Sequence, residues 1–239
     1  EIRNCDWSSD VCSSDLDQHG TAVVVLAALR NALKLVKKNL SDCTIVLNGA
    51  GAAGTAIARL LVLAGGKNII GFDSHGVINA KRSADNDMRR WFIQNCNPTQ
   101  FEGDLSEAMK GADVFIGVSA PNVLKEEDIA SMAKGSIVFA LANPDPEIDP
   151  VLARKHAAVV ATGRSDQPNQ INNVLAFPGI FRGLLDAGAS KITDELLVAC
   201  AEAISDCVSD SQLNASFIVP SVFDPAVVNS VAAAVRRCC

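Results

Sequence analysis

Two hydrophobic periodicities alternate along this chain, and their alternation predicts its secondary structure. Short, nearly continuous apolar runs predict strands, and longer segments with apolar residues three or four apart predict helices. The predicted strands are 43–48, 68–72, 113–117, 136–140 and 157–161. The predicted helices are 21–39, 55–64, 84–94, 105–110, 125–133, 174–187, 193–207 and 225–237. Strands that alternate with helices at this spacing predict an α/β fold, a doubly wound parallel sheet with extra helices after the last strand.

Residues 1–16 do not share this pattern. They lack apolar periodicity, and they lack the apolar region and small-residue cleavage site of a signal peptide. Back-translation of Asp6 to Leu16 gives the reading frame of a widely used sequencing-library adapter. We therefore interpret 1–16 as an adapter-derived segment that should not fold. A genuine tail rich in Ser and Asp is the alternative.

Composition restricts the possible partners. The 239 residues carry a formal charge of −6 and a pI near 5.1, which argues against a nucleic-acid-binding protein. Without residues 1–16 the charge becomes −3. Every apolar run of about 18 residues is interrupted by charge, so we expect no membrane-spanning helix and no membrane partner. None of the cysteines after residue 16 has C-x-x-C spacing, which favours scattered thiols in a reducing cytoplasm over a zinc or redox site.

A glycine-rich turn carries the first candidate chemistry. Gly49, Gly51 and Gly54 form a G-x-G-x-x-G motif between a predicted strand and a predicted helix, which is the context of a Rossmann dinucleotide site. The first glycine permits the tight turn, the second lets the backbone approach a pyrophosphate, and the third lets the helix pack closely on the strand. The phosphates would lie at the helix N-terminus, where N–H groups and the helix dipole favour negative charge. A ligand-free αβ turn is the alternative.

The next predicted strand ends at an acid. Asp73 lies 19 residues after Gly54, the position of the acid that binds the adenine-ribose 2′-hydroxyl. A carboxylate there would repel a 2′-phosphate, so the sequence favours NAD over NADP. His75, Lys81 and Arg82 follow closely and make that preference moderate.

Three further segments follow predicted strands, where ligands of doubly wound sheets bind. They are 117–122, 141–146 and 163–177. The second contains Asn143 before a proline, which biases its backbone out of the α region and could project its side chain into the cleft. The alternative for Asn143 is a turn former. The third contains Asn172 and Asn173, for which the alternative is a helix N-cap.

Taken together, these motifs resemble one family. From Asp17 to about Arg237, the chain is similar to the NAD-binding domain of a malic enzyme of the short prokaryotic type. The segments that carry the resemblance are Asp17-Gln-His-Gly-Thr-Ala22, Asn48-Gly-Ala-Gly-Ala-Ala-Gly54, Gly71-Phe-Asp-Ser-His-Gly76, Phe115-Ile-Gly-Val-Ser-Ala120, Leu141-Ala-Asn-Pro144, Asn172-Asn173, Phe177-Pro-Gly179 and Phe217-Ile-Val-Pro220. The resemblance makes 17–239 one NAD-binding domain.

The resemblance implies a reaction and a set of site residues. The family oxidatively decarboxylates (S)-malate to pyruvate and CO2 with Mg²⁺ or Mn²⁺, which would stabilise the enolate. The resemblance implies that Asp17 is a metal ligand. It also implies three substrate-binding residues, Asn143, Asn172 and Asn173. The residues expected to contact the coenzyme are Thr21, Gly49, Ala50, Gly51, Ala52, Ala53, Gly54, Asp73, Val118, Ser119, Ala120 and Asn143.

The sequence also departs from the family. Leu16 stands where the family has the first acid of an Asp-Asp pair, and the chain contains no tyrosine to act as the family's proton donor. No lysine stands in a motif that would replace the family's base, so we assign no catalytic residue. We expect this chain to keep coenzyme affinity without turning over malate, and the complete enzyme to be a homodimer. The alternatives are another NAD(P)-dependent dehydrogenase domain, which would need a Lys/Asp pair beside the cleft, or a non-catalytic dinucleotide-binding module.

Overall fold

The computed structural model describes residues 10–84, 86–189 and 191–239, and of 10–17 it describes the backbone only. The helices are α1 (Asp10–Val36), α2 (Ala52–Leu63), α3 (Asp87–Asn95), α4 (Leu105–Met109), α5 (Glu126–Ala130), α6 (Pro150–Ala153), α7 (Phe177–Ala187), α8 (Asp194–Asp206) and α9 (Pro225–Cys238). The strands are β1 (Thr44–Asn48), β2 (Asn68–Asp73), β3 (Gly76–Val77), β4 (Val114–Gly117), β5 (Ile137–Ala140) and β6 (Val159–Thr162). Short 3-10 helices cover Leu40–Asp42 and Asn173–Leu175.

The six strands form one sheet in the order β3-β2-β1-β4-β5-β6. All neighbouring pairs are parallel except β2 and β3, which are antiparallel. The strand order reverses direction between β1 and β4, which is the topological switch point of a doubly wound sheet. The predicted α/β fold is therefore confirmed, with β3 as an edge strand that the sequence pattern did not predict.

Helices cover both faces of the sheet. Along β1, Ile45 and Leu47 belong to the larger apolar cluster, which also contains residues of α1, α2, α7, α8 and α9. Val46 points to the opposite face, where a smaller cluster contains residues of α4, α5 and α6. Because both faces are buried, each parallel strand is a nearly continuous apolar run, which is why these strands were predictable.

Helix α1 is the central helix of the larger cluster. Its segment Gln18–Val36 is long and apolar enough to span a membrane, but 67% of that window is buried inside this protein. Asn31 lies in this interior, and its side chain donates to Ser205 O at 3.0 Å and to Ile218 O at 2.9 Å. These contacts are those of a core helix in a folded domain.

The beginning of α1 differs from the sequence prediction. Residues 1–9 lie outside the described residues, but the helix begins at Asp10, so the backbone of 10–16 is helical where no fold was expected. Extending an existing helix avoids the cost of nucleation, so a segment without its own apolar pattern can continue one. The adapter origin of 1–16 stays a prediction.

The predicted helix 174–187 is divided in two. The chain forms the 3-10 helix Asn173–Leu175 first, and α7 starts at Phe177 with Pro178 in its first turn. Proline suits a first helical turn, because the N–H that it lacks would have no partner inside the helix.

Candidate functional site

The glycine-rich turn between β1 and α2 is held against the end of β2. Gly49 has a φ of 109°, a left-handed conformation that glycine adopts without strain. Gly49 N and Ala50 N both donate to Phe72 O, at 2.9 and 2.8 Å. The turn therefore lies beside Asp73, the residue that follows Phe72 in β2.

Two glycines of the motif have opposite surroundings. A Cβ at Gly54 would lie 2.2 Å from Gly49 O, so α2 can approach the turn this closely only without a side chain there. A Cβ at Gly51 would meet nothing within 4 Å. Gly51 is also the N-cap of α2, and among the described residues no side chain caps this helix end. The helix end without a side-chain cap thus lies next to open space at Gly51, and such a helix N-terminus suits a phosphate.

Asp73 is held by two arginines. Arg82 donates to both carboxylate oxygens, at 2.8 and 3.1 Å, and Arg89 donates to one of them at 3.0 Å. The backbone N–H of His75 donates to the same carboxylate at 2.8 Å. Burial raises the pKa of the Asp73 carboxyl, but the hydrogen bonds from Arg82, His75 N–H and Arg89 outweigh burial and lower the pKa below its ordinary value. Asp73 is therefore a fixed carboxylate at neutral pH.

The loops that follow β4 and β5 continue this edge of the sheet. Val118 N donates to Asn48 O at 2.9 Å, and the Asn48 side chain donates to Ser119 Oγ at 2.8 Å. A Cβ at Gly49 would lie 2.5 Å from Val118 O, so the loop after β4 touches the glycine-rich turn. Asn143 is exposed in the loop after β5. The structure thus brings Val118, Ser119 and the turn together, as the sequence predicts for neighbouring strand ends.

The loop after β6 meets helix α1 at the same edge. A Cβ at Gly20 would lie 2.6 Å from the Phe177 ring and 3.2 Å from Asn173 Cβ, so Gly20 permits close contact with that loop. Thr21, the next residue of α1, is partly buried, as is Asn173. Asn172 acts as the N-cap of the 3-10 helix, because its Oδ1 accepts from Val174 N at 3.0 Å. Asn172 therefore caps this short helix, and its contact with the substrate stays a prediction.

Comparison with known proteins decides the family. A family model described as "Malic enzyme, NAD binding domain" matches residues 18–239. The chain belongs to this family. The NAD-dependent malic enzyme of Geobacillus stearothermophilus is 55% identical over 219 residues, which cover 92% of this chain and 46% of that protein. The NADP-dependent malic enzyme of Salmonella typhimurium is 41% identical, over 92% of this chain and 31% of that protein.

A solved malic enzyme shares the fold. The crystal structure of the NAD-dependent malic enzyme from Thermotoga maritima matches with a TM-score of 0.87 and 45% identity, and the match covers 92% of this chain and 58% of that chain. The resemblance inferred from the motifs is therefore confirmed. The chain spans about half the length of the Geobacillus and Thermotoga malic enzymes, so it corresponds to their NAD-binding part.

The metal assignment of the malic enzyme family falls on the start of α1. Asp17 lies in α1, but its side chain is outside the part of the chain that is described. Among the described residues, no group of three or more His, Cys, Asp or Glu side chains could hold a metal ion. The role of Asp17 as a metal ligand stays a prediction.

Two features of this malic enzyme domain escaped sequence reasoning. Arg89 lies in the predicted helix 84–94, and nothing in the pattern indicates that it contacts Asp73. Glu147 is fully buried and lies between the loops after β4 and β5. The only signal for Glu147 is an acid between Pro146 and Ile148, and in a turn-rich stretch that signal indicates an exposed side chain.

Proposed function

We propose that this chain is the coenzyme-binding domain of an NAD-dependent malic enzyme, which converts (S)-malate to pyruvate and CO2. The observation that carries the proposal is the open cradle at Gly51, beside an acid fixed at the end of β2. The 55% identity to an NAD-dependent malic enzyme supports the substrate and the reaction. We infer that the complete enzyme is a cytoplasmic homodimer acting on small molecules, without nucleic-acid or membrane partners.

The residues fit a dinucleotide. The first N–H groups of α2, at Ala52 and Ala53, would donate to the pyrophosphate across the open space at Gly51. The Asp73 carboxylate would accept a hydrogen bond from the adenine-ribose 2′-hydroxyl. Bound NAD would supply the hydride acceptor for the oxidation of malate.

The remaining predicted residues would serve the reacting end. Val118, Ser119, Ala120 and Thr21 would lie near the nicotinamide, because an extended dinucleotide crosses the switch point from the β2 side to the β4 side. Asn143, Asn172 and Asn173 would orient the substrate carboxylate or hydroxyl. This chain has no tyrosine, so none of its residues is given the role of the family's proton donor.

The preference for NAD over NADP depends on the Asp73 carboxylate and on the two arginines that bind it. Its carboxylate repels a 2′-phosphate, whereas Arg82 and Arg89 would attract one if they were released. We infer that NAD is preferred because both guanidinium groups are held on the carboxylate, at 2.8 to 3.1 Å. The Asp73→Ala variant should therefore bind NADH more weakly and NADPH more tightly, each by about tenfold.

The test is a titration of the 239-residue chain with NADH and NADPH, followed by nicotinamide fluorescence. Wild type should bind NADH more tightly than NADPH, and D73A should reverse the order. Equal affinities in wild type would contradict the proposed preference, and failure to bind either would contradict the proposed function. The chain with malate, NAD and Mg²⁺ or Mn²⁺ should produce no NADH, and malate-dependent NADH formation would refute its expected inactivity.

A further inference from the structure

A buried acid joins the two loops that follow β4 and β5. Glu147 has no exposed surface. Its Oε1 accepts from Ser119 N at 3.0 Å, and its Oε2 accepts from Ala142 N at 3.0 Å. The Ser119 hydroxyl lies 3.5 Å from Oε1, a longer and weaker contact. Each carboxylate oxygen therefore binds the backbone of a different loop, one after β4 and one after β5.

These loops lie beyond the last hydrogen-bonded residue pair of β4 and β5. The strands β4 and β5 are paired up to Gly117 and Ala140, and Leu141 N still donates to Gly117 O at 2.9 Å. Past that point, Glu147 supplies the acceptors that a neighbouring strand would supply. The backbone of Glu147 is fixed as well, because its carbonyl accepts from Leu124 N at 3.0 Å. The carboxylate is therefore a rigid link between loops that no longer pair with each other.

Gly117 makes room for this link. A Cβ at Gly117 would lie 2.3 Å from Glu147 Cδ and 2.5 Å from its Oε1. The Gly117 φ is not in the left-handed region, so its backbone conformation alone would accept a side chain. The buried carboxylate is what excludes one.

Stability alone gives little reason for an acid at this position. Transfer of a carboxylate into the protein interior is costly unless every oxygen is satisfied by hydrogen bonds. Burial raises the pKa of Glu147 above its ordinary value, although the N–H groups of Ser119 and Ala142 oppose that shift. What the acid provides is a fixed distance between two loop backbones, and a third strand end joins them, because Asn48 donates to Ser119 Oγ at 2.8 Å.

We propose that Glu147 is a positioning residue, which holds the loops after β4 and β5 in the arrangement that binds the nicotinamide half of the coenzyme. The inference rests on the proposed function. The turn at Gly51 and the acid at Asp73 hold the pyrophosphate and the adenine ribose on the β1–β2 side. The other half of an extended dinucleotide crosses to β4 and β5, where Glu147 acts.

The Glu147→Gln variant tests the proposal. Glutamine has the same shape but only one oxygen, so its amide NH₂ group must face one of the two N–H donors and releases that loop. Affinities for NADH and for ADP-ribose are measured by calorimetry on the full chain. We expect E147Q to weaken NADH binding by about tenfold, the effect of one lost hydrogen bond to a charged group. ADP-ribose, which lacks the nicotinamide, should change by less than about twofold, since its contacts lie on the β1–β2 side.

A matched control is available at the other ends of the parallel strands, where β1 and β4 begin. Asp113 also joins two strands through a backbone N–H, because its Oδ2 accepts from Thr44 N at 2.9 Å. Its Oδ1 lies 2.7 Å from Lys38 Nζ. Asp113→Asn should leave the ratio of NADH to ADP-ribose affinity unchanged. A ratio that falls equally in D113N and E147Q would show that Glu147 has only a general structural role, and would overturn the inference.

A second variant keeps the test valid if E147Q does not fold. Gly117→Ala displaces the carboxylate without removing it, so it should reduce the same affinity ratio. In an E147A background the three atoms nearest to the new Cβ, which are Cγ, Cδ and Oε1 of Glu147, are gone, so G117A should then have little further effect. If E147A and G117A lowered the affinity ratio additively, the contact between Gly117 and Glu147 would not be the cause of the G117A effect. A wild-type chain that binds ADP-ribose as tightly as NADH would overturn this inference but not the proposed function, and a chain that binds neither would overturn both.

Discussion

The close approach at Gly54 gives a prediction that separates folding from coenzyme binding. In Gly54→Ala, the new Cβ would lie 2.2 Å from Gly49 O and 3.1 Å from Leu47 Cδ2. To relieve this overlap, α2 and the turn must move apart by a distance on the order of 1 Å, because non-bonded carbon and oxygen atoms rarely approach within 3 Å. The turn resists that shift, since Gly49 N and Ala50 N are both bound to Phe72 O.

The expected magnitude follows from two opposing effects. Overpacking of this kind costs about 1–3 kcal/mol, and alanine returns up to about 1 kcal/mol of helix propensity. Because backbone atoms on both sides are held, we place the net loss near 2 kcal/mol. For a chain of this length, that corresponds to a fall in Tm of about 4–8 °C. NADH affinity should fall by about tenfold or more, because the displaced turn would lose a proposed hydrogen bond to the pyrophosphate.

Gly51→Ala is the matched control. Its Cβ meets no protein atom within 4 Å, and Gly51 has an ordinary φ of −85°. The Tm should therefore change by no more than about 2 °C, as the entropic gain from replacing glycine is offset by a poorer N-cap. NADH affinity should nevertheless fall, since the methyl group would occupy the space proposed for the pyrophosphate. Thermal unfolding and NADH titration of both variants check this. Unchanged NADH affinity in G51A would show that the pyrophosphate does not lie at Gly51, and an unchanged Tm in G54A would show that the close contact at Gly54 does not limit stability.

Two further predictions concern titratable groups. Burial raises the pKa of the Cys43 thiol to about 11 and the pKa values of Cys96 and Cys200 to about 12, so these thiols should resist iodoacetamide in the folded chain and react in urea, as mass spectrometry can show. Rapid alkylation of Cys200 in the native chain would contradict this. Because the folded-state pKa of Asp73 is lowered, its stabilising contribution is present above the unfolded pKa and is lost as pH falls through the folded value. The difference in Tm between wild type and D73N should therefore shrink below about pH 4, and a constant difference would contradict the pairing.

The sheet was predictable from sequence because each parallel strand is buried on both faces and bounded by turn residues. Short elements were not predictable. The edge strand β3 has two residues and α6 has four, too few for either periodicity to be recognised. The extension of α1 to Asp10 was missed because it has no apolar pattern of its own, so only its connection to the buried helix accounts for it.

At the candidate site, sequence reasoning identified backbone roles better than side-chain partners. The roles of Gly49 and Gly54 follow from motif spacing, and the structure shows both the positive φ and the close approach. The partners of Asp73 could not be derived, because Arg82 and Arg89 reach it from a loop and from α3, whose packing depends on the whole fold. Glu147 was missed for the same reason, since its two hydrogen-bond donors are backbone groups that carry no sequence signal.

Asp73 and Glu147 are two acids at the same edge of the sheet. Because their environments differ, the two carboxylates lose their charge at different pH values. Guanidinium groups hold Asp73 as a carboxylate and lower its pKa, whereas burial raises the pKa of Glu147 despite the N–H groups that bind it. As pH falls, Glu147 must therefore take up a proton first. A protonated carboxyl has one O–H donor, so it can no longer accept from both Ser119 N and Ala142 N. If these loops bind the nicotinamide half, acid should weaken NAD binding at a higher pH than it weakens ADP-ribose binding. Parallel loss of both affinities with pH would show instead that the two acids act on the same half of the coenzyme.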